Sequence, residues 1–203
     1  MTGKKSLLIA KWQSWNIRFQ AIILLTISLS CLIYPTAGNT GGLDKATLKA
    51  LYTYKFGKFS KWPKEKVNLS TKKFEYCILG SSPFSQTTMN MMMGKTVQGL
   101  PLTIKVFGSG LIPEEVLSAC HILFIGQSEK YRLSILFSRL KNLAVLTVSD
   151  IRNFSYQGGM ITLIEDEGKI RFQINPISLQ QAGISMSSKI MELAEIIEDG
   201  QQL

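Results

Sequence analysis

From Asp44 onward the chain alternates between two hydrophobic periods. Leu48, Leu51, Tyr52, Phe56 and Phe59 recur at helical spacing behind Asp44, a natural N-cap, and Trp62-Pro63 ends the run. Residues 74–79 read as a buried strand. Ser82-Pro83 then supplies a cap and a first helical turn, with Phe84, Thr88 and Met91 on one face and Gly94 as the stop. Residues 102–106 form a second strand. Pro113-Glu114-Glu115 opens a short helix with acids at its positive end. Residues 121–125 are a third strand, Ser128 caps a helix with the stripe Leu133, Leu136, Phe137 and Leu140, and residues 144–148 are a fourth.

After residue 148 the pattern changes. Residues 160–164 and 169–174 flank Asp166-Glu167-Gly168, and Ile170, Phe172 and Ile174 alternate with Arg171 and Gln173, the two-residue period of a hairpin strand. Asn175-Pro176 starts a short helix that ends near Gly183. Ser187 caps a last one, whose Ile190, Leu193, Ala194 and Ile197 face the core. Strands alternating with helices, followed by a hairpin, predict a three-layer α/β/α sandwich. Its central sheet is mostly parallel, with an antiparallel hairpin at the edge.

The first residues follow other rules. Lys4, Lys5, Lys11 and Arg18 precede the uncharged stretch 21–33, and small residues follow at 36–38. A bilayer-spanning helix needs about 20 apolar residues, so residues 1–38 read as a signal peptide, with an uncleaved anchor as the alternative, and residues 39–203 as one α/β domain. The net charge of +9 over 203 residues then loses much of its meaning, because residues 1–43 hold four basic side chains and no acidic one. The rest carries mixed charge, and nucleic acid is not an expected partner.

Export gives Cys77 and Cys120 a meaning. They are the cysteines left once residue 31 is removed with the leader, and both begin apolar runs. An oxidising compartment favours a bridge between them; two buried free thiols are the alternative.

Candidate chemistry is sparse. His121 is the only histidine, and strand packing accounts for it as well as catalysis would. Neither GxGxxG nor a Walker lysine is present. Asp166 and Glu167 sit in a tight turn, and Met89, Met91, Met92 and Met93 on a helix point too far apart to share one metal ion. No enzyme activity, metal or cofactor is expected. Tyr54 and Trp62, with lysines at 55, 58, 61 and 64, read either as packed core or as an aromatic and cationic partner-binding surface. Ser149 and Asp150 lie beyond a strand's C-terminal end, the usual edge for ligand clefts. With Arg171 and Gln173 they make a candidate site for a small anionic ligand, an ordinary solvated hairpin face being the alternative. Exposed apolar residues on the first helix would suit a homodimer.

Several stretches, in order, carry a resemblance. They are residues 54–63 (YKFGKFSKWP), 77–80 (CILG), 94–99 (GKTVQG), 120–125 (CHILFI), 146–150 (LTVSD), 158–161 (GGMI), 171–175 (RFQIN) and 187–190 (SSKI). Together they resemble the YfiR-like family, which includes HmsC. The resemblance implies an exported periplasmic α/β regulator that represses a membrane-bound diguanylate cyclase by binding its periplasmic part. Cyclic di-GMP, biofilm and exopolysaccharide production are thereby controlled. The alternative is a small-molecule-sensing module that relays occupancy to another membrane sensor. The family's paired cysteines fall on Cys77 and Cys120; a second pair that some members carry near the hairpin is absent here.

Overall fold

Strands that are apolar on both faces need a covering layer above and below, and this need organises the molecule. The computed structural model describes residues 44–69, 72–80 and 84–198. In chain order the elements are α1 (Lys45–Phe59), β1 (Ser60–Lys61), α2 (Lys64–Leu69), β2 (Phe74–Leu79), α3 (Phe84–Met92), β3 (Thr96–Val97), β4 (Leu100–Phe107), α4 (Glu114–Ala119) and β5 (Ile122–Ile125). Then come α5 (Leu133–Leu140), β6 (Leu146–Ser149), β7 (Ile161–Asp166), β8 (Lys169–Ile174), α6 (Pro176–Gln181), β9 (Ser185–Met186), α7 (Ser188–Met191) and β10 (Glu195–Ile196). The expected leader, residues 1–38, lies outside the described residues.

The main sheet has the order β10-β8-β7-β6-β5-β2-β4-β3. From β4 through β2, β5 and β6 to β7 every pairing is parallel, and β8 returns antiparallel on β7. Alternate residues feed two cores. Tyr76, Ile78, Phe124 and Val148 pack with Ala50 and Phe56 of α1 and Met92 of α3. Cys77, Leu79, Leu123 and Ile125 pack with Leu117 of α4 and with Leu133, Leu136 and Leu140 of α5. The sandwich read from the sequence is therefore the one observed. Its hairpin turns at Glu167 (φ 44) and Gly168 (φ 79), the left-handed pair that a tight two-residue turn requires.

The differences sit at element ends. Helix α1 stops at Phe59, because Ser60 and Lys61 leave it to pair as β1 with β9. The turn leaves Phe59 40% exposed and folds Trp62 inward. Residues 127–132 form a 3-10 turn before α5 begins. The last helix is only the short α7: Ile190 and Ile197 are buried as expected, but Leu193 is 71% exposed. Residues 195–196 add to the sheet as β10, parallel to β8. Short-range spacing suggests a helix there, but the open backbone groups of β8 offer the chain a strand partner instead.

Candidate functional site

In a parallel sheet the strand order reverses at one point, and ligands favour the crevice beyond the strand ends there. Here that point lies between β2 and β5. It is already filled. A Cβ added at Gly80 would lie 2.5 Å from Ser128 Oγ, and Gly80 has φ +96. Glu129 is buried beside it, with its carboxylate paired to Arg132 Nη2 at 2.5 Å. A buried carboxylate in this place opposes a phosphate group, so the described residues do not form a nucleotide cradle.

An open cleft of about 390 Å³ lies one strand further on, past β6, lined among others by Lys49, Gln127, Asp150, Arg152, Glu165 and Gln173. Lys49 reaches from α1 between two carboxylates, 2.5 Å from Asp150 Oδ2 and 2.8 Å from Glu165 Oε1. Gln127 Nε2 donates to Asp150 Oδ1 at 3.2 Å and to the Asp150 carbonyl at 2.7 Å. Lys45 holds the other Glu165 oxygen at 2.8 Å. Hydrogen bonds from Lys45 and Lys49 hold the Glu165 carboxyl down at about 2, although partial burial pulls the other way. Burial would lower Lys49, but its bonds to Asp150 and Glu165 outweigh that and raise it. The cleft's charges are thus largely satisfied by one another. An anion entering it must compete with Asp150 and Glu165 for Lys49; Arg152, exposed and without an ion-pair partner among the described residues, is the cation free to meet it.

Of the four residues proposed from sequence as a ligand site, Asp150 and Gln173 line this cleft. Gln173 is nearly buried, because β10 covers it and Glu195 Oε1 accepts from its amide at 2.9 Å. Ser149 and Arg171 do not join them. Ser149 is fully buried; its Oγ donates to the Ile125 carbonyl at 2.7 Å and accepts from Ile151 N at 3.0 Å, which closes the turn after β6. Arg171 shares a strand face with Gln173 but points to solvent at the hairpin, its Nε 3.0 Å from Asp166 Oδ2. Lys49, Gln127 and Glu165 escaped the sequence reading, since Lys49 and Asp150 stand 101 residues apart and no spacing rule joins them.

The aromatic segment divides between core and surface. Trp62 is 8% exposed; its Nε1 donates to the His121 carbonyl at 3.2 Å, and its ring meets Phe74 edge-on at 5.3 Å. It is a core residue, the packed alternative of the two readings. Tyr54 is half-buried, its hydroxyl donating to the Thr96 carbonyl at 3.1 Å, with the Lys58 and Lys95 ammonium groups each 5.8 Å from its ring centre.

Cys77 and Cys120 are bonded, their Cα atoms 5.8 Å apart, and tie β2 to the segment entering β5. Next to the bridge, His121 is buried. Its Nδ1 accepts from Glu75 N at 3.1 Å, and Phe74 stacks on its ring at 4.6 Å. Burial, with the Lys66 charge adding to it, pushes the imidazole down to about 4. Lys66 donates to the Ser118 carbonyl and is itself pushed down to about 8 by burial. A family model described as YfiR/HmsC-like matches residues 46–195. No curated protein matches the chain.

Proposed function

This chain belongs to the YfiR/HmsC-like family, and from that membership we propose that it is a periplasmic regulatory protein rather than an enzyme. On this reading it binds the periplasmic domain of an inner-membrane diguanylate cyclase and holds that enzyme inactive, so that cyclic di-GMP, and with it biofilm and exopolysaccharide production, stays low. The observation that carries the reading is the extent of the family match, which runs from α1 to β10. The Cys77–Cys120 bridge supports it, since such a bridge persists outside the reducing cytosol. So does the state of the two residues with reactive side chains: the Cys120 sulfur is bonded, and His121 Nδ1 is occupied by a backbone N–H.

The test is genetic and biochemical together. Deleting the gene should raise cyclic di-GMP, and the tagged protein should co-purify from membranes with a protein that carries a cyclase domain. Unchanged cyclic di-GMP and no such partner would overturn the reading.

The cleft beside Asp150 favours a second reading, a module that senses a small anion and relays its presence to a membrane sensor. Its mutually neutralised charges weigh against it. A thermal-shift screen with nucleotides and amino acids decides the matter: no shift at millimolar ligand, with partner binding intact, removes this reading.

A further inference from the structure

Among the described residues, one edge of the main sheet is left open along most of a strand. β3 covers β4 only at its beginning, through Leu100 and Pro101. The Leu102 N–H still reaches back, donating to the Lys95 carbonyl at 3.1 Å, while the Phe107 carbonyl faces the other way and accepts from Gly80 N at 2.9 Å. Strand parity then fixes the rest. Thr103, Lys105 and Phe107 turn their backbone groups toward β2; Ile104 and Val106 turn theirs outward. Among the described residues nothing pairs with those outward N–H and C=O groups.

Such edges are ordinarily blunted by charge, proline or covering elements. This one is protected at Pro101 and carries a single charged side chain, Lys105, further along. Its surroundings are apolar: Val106 is 46% exposed, and Met93 and Leu111, on the segments leading into β3 and out of β4, are both 77% exposed. They are also one-sided in charge. Residues 76–113 contain Lys95 and Lys105 and no carboxylate, and the nearest acid across the strand, Glu75, is buried against Lys105 at 3.2 Å.

We propose that the open edge of β4 takes up an extended, acidic segment of a partner protein as an added strand. Main-chain hydrogen bonds to Ile104 and Val106 hold it, an acidic side chain sits opposite Lys105, and apolar side chains continue the exposed surface of Val106. A second copy of this chain fits less well. An antiparallel pairing that uses both outward residues sets Ile104 opposite Val106 of the copy, and Lys105 opposite Lys105, a like-charge contact that destabilises the pair. The inference rests on the regulator reading and names the surface and chemistry of its contact.

The test uses the purified protein and two short capped peptides, one alternating valine with glutamate and one alternating valine with lysine, followed by amide exchange in NMR. With the glutamate peptide, exchange at the Ile104 and Val106 amides should slow about tenfold or more while Thr103 and Lys105, already bonded to β2, change little. The lysine peptide should leave all four unchanged. Val106→Pro removes an outward donor without breaking a bond to β2 and should abolish the effect. Should that variant fail to fold, Val106→Lys, a change at an exposed side chain, should weaken the glutamate peptide about tenfold. Absence of protection, equal protection by both peptides, or protection that grows with protein concentration alone would each overturn the proposal. Co-purification separates it from the regulator reading: if Val106→Pro still captures the cyclase, the edge is wrong and the regulator stands, whereas if the unaltered protein captures none, the regulator reading itself falls.

Discussion

His121 shows how far one residue's chemistry is set by neighbours distant in the chain. Its Nδ1 accepts the Glu75 N–H, its carbonyl accepts from Leu146 N and from Trp62, and its ring lies against Phe74. Protonation would replace the Nδ1 lone pair with a hydrogen and break the first of these bonds. The group sits at about 4 in the fold against 6.5 as a free side chain, so the unfolded chain takes up the proton first. The stability this supplies is complete above about pH 6.5 and is lost as the pH falls toward about 4, by at most about 3 kcal/mol. His121→Gln should flatten that part of a urea-unfolding profile measured against pH. Lys66, buried and charged, opposes the imidazolium from α2. Lys66→Met should therefore raise the His121 titration point, read by NMR. It should also stabilise the protein at neutral pH by about 1 kcal/mol, since the burial cost removed exceeds one lost hydrogen bond. From the sequence, His121 was legible as a packed strand residue; its pairing with Glu75 and Lys66 was not, because neither lies within local reach of it.

At the scale of elements, the interiors followed their patterns and the ends did not. The alternation in β8 and the stripe on α5 are local properties, repeated several times over; the structure keeps the stripe, and the alternation as far as Phe172, beyond which β10 covers Gln173. The end of α1 depended on β9, more than a hundred residues away, which draws Ser60 and Lys61 out of the helix and carries Trp62 into the core. The turn between β6 and β7 obeys a similar constraint. A Cβ at Gly159 would stand 2.2 Å from Phe154 Cε1, and Phe154 is fully buried with its ring 5.4 Å from that of Phe137. It has nowhere to retreat. Gly159→Ala should cost about 2–3 kcal/mol in chemical denaturation. Asn175 closes the far side of the same turn: its side chain accepts from Ser178 N at 3.0 Å to cap α6 and donates to the Ser155 carbonyl at 2.9 Å. Only the cap could be read from the Asn-Pro sequence.

For the molecule as a whole, the Cys77–Cys120 bond is the one covalent tie across the sheet among the described residues, closing 43 residues that include α3, β3, β4 and α4. Cys77→Ala with Cys120→Ala should lose about 3–4 kcal/mol on the chain-entropy account. The same loss should appear on reducing the unaltered protein, provided the reductant reaches the buried bond. By itself the sequence determined the layer architecture, the strand–helix alternation, the hairpin and the family, because each is written in local period, in turn residues or in short motifs kept in order. Tertiary structure alone decided that Asp150 and Gln173 share a cleft with Lys49 while Ser149 and Arg171 turn away, that Trp62 is covered while Phe59 is bared, and that β4 keeps an open edge among the described residues. Those outcomes depend on which strand becomes whose neighbour, and strand order is settled by burying both faces of the sheet at once, a condition no short stretch of chain can express.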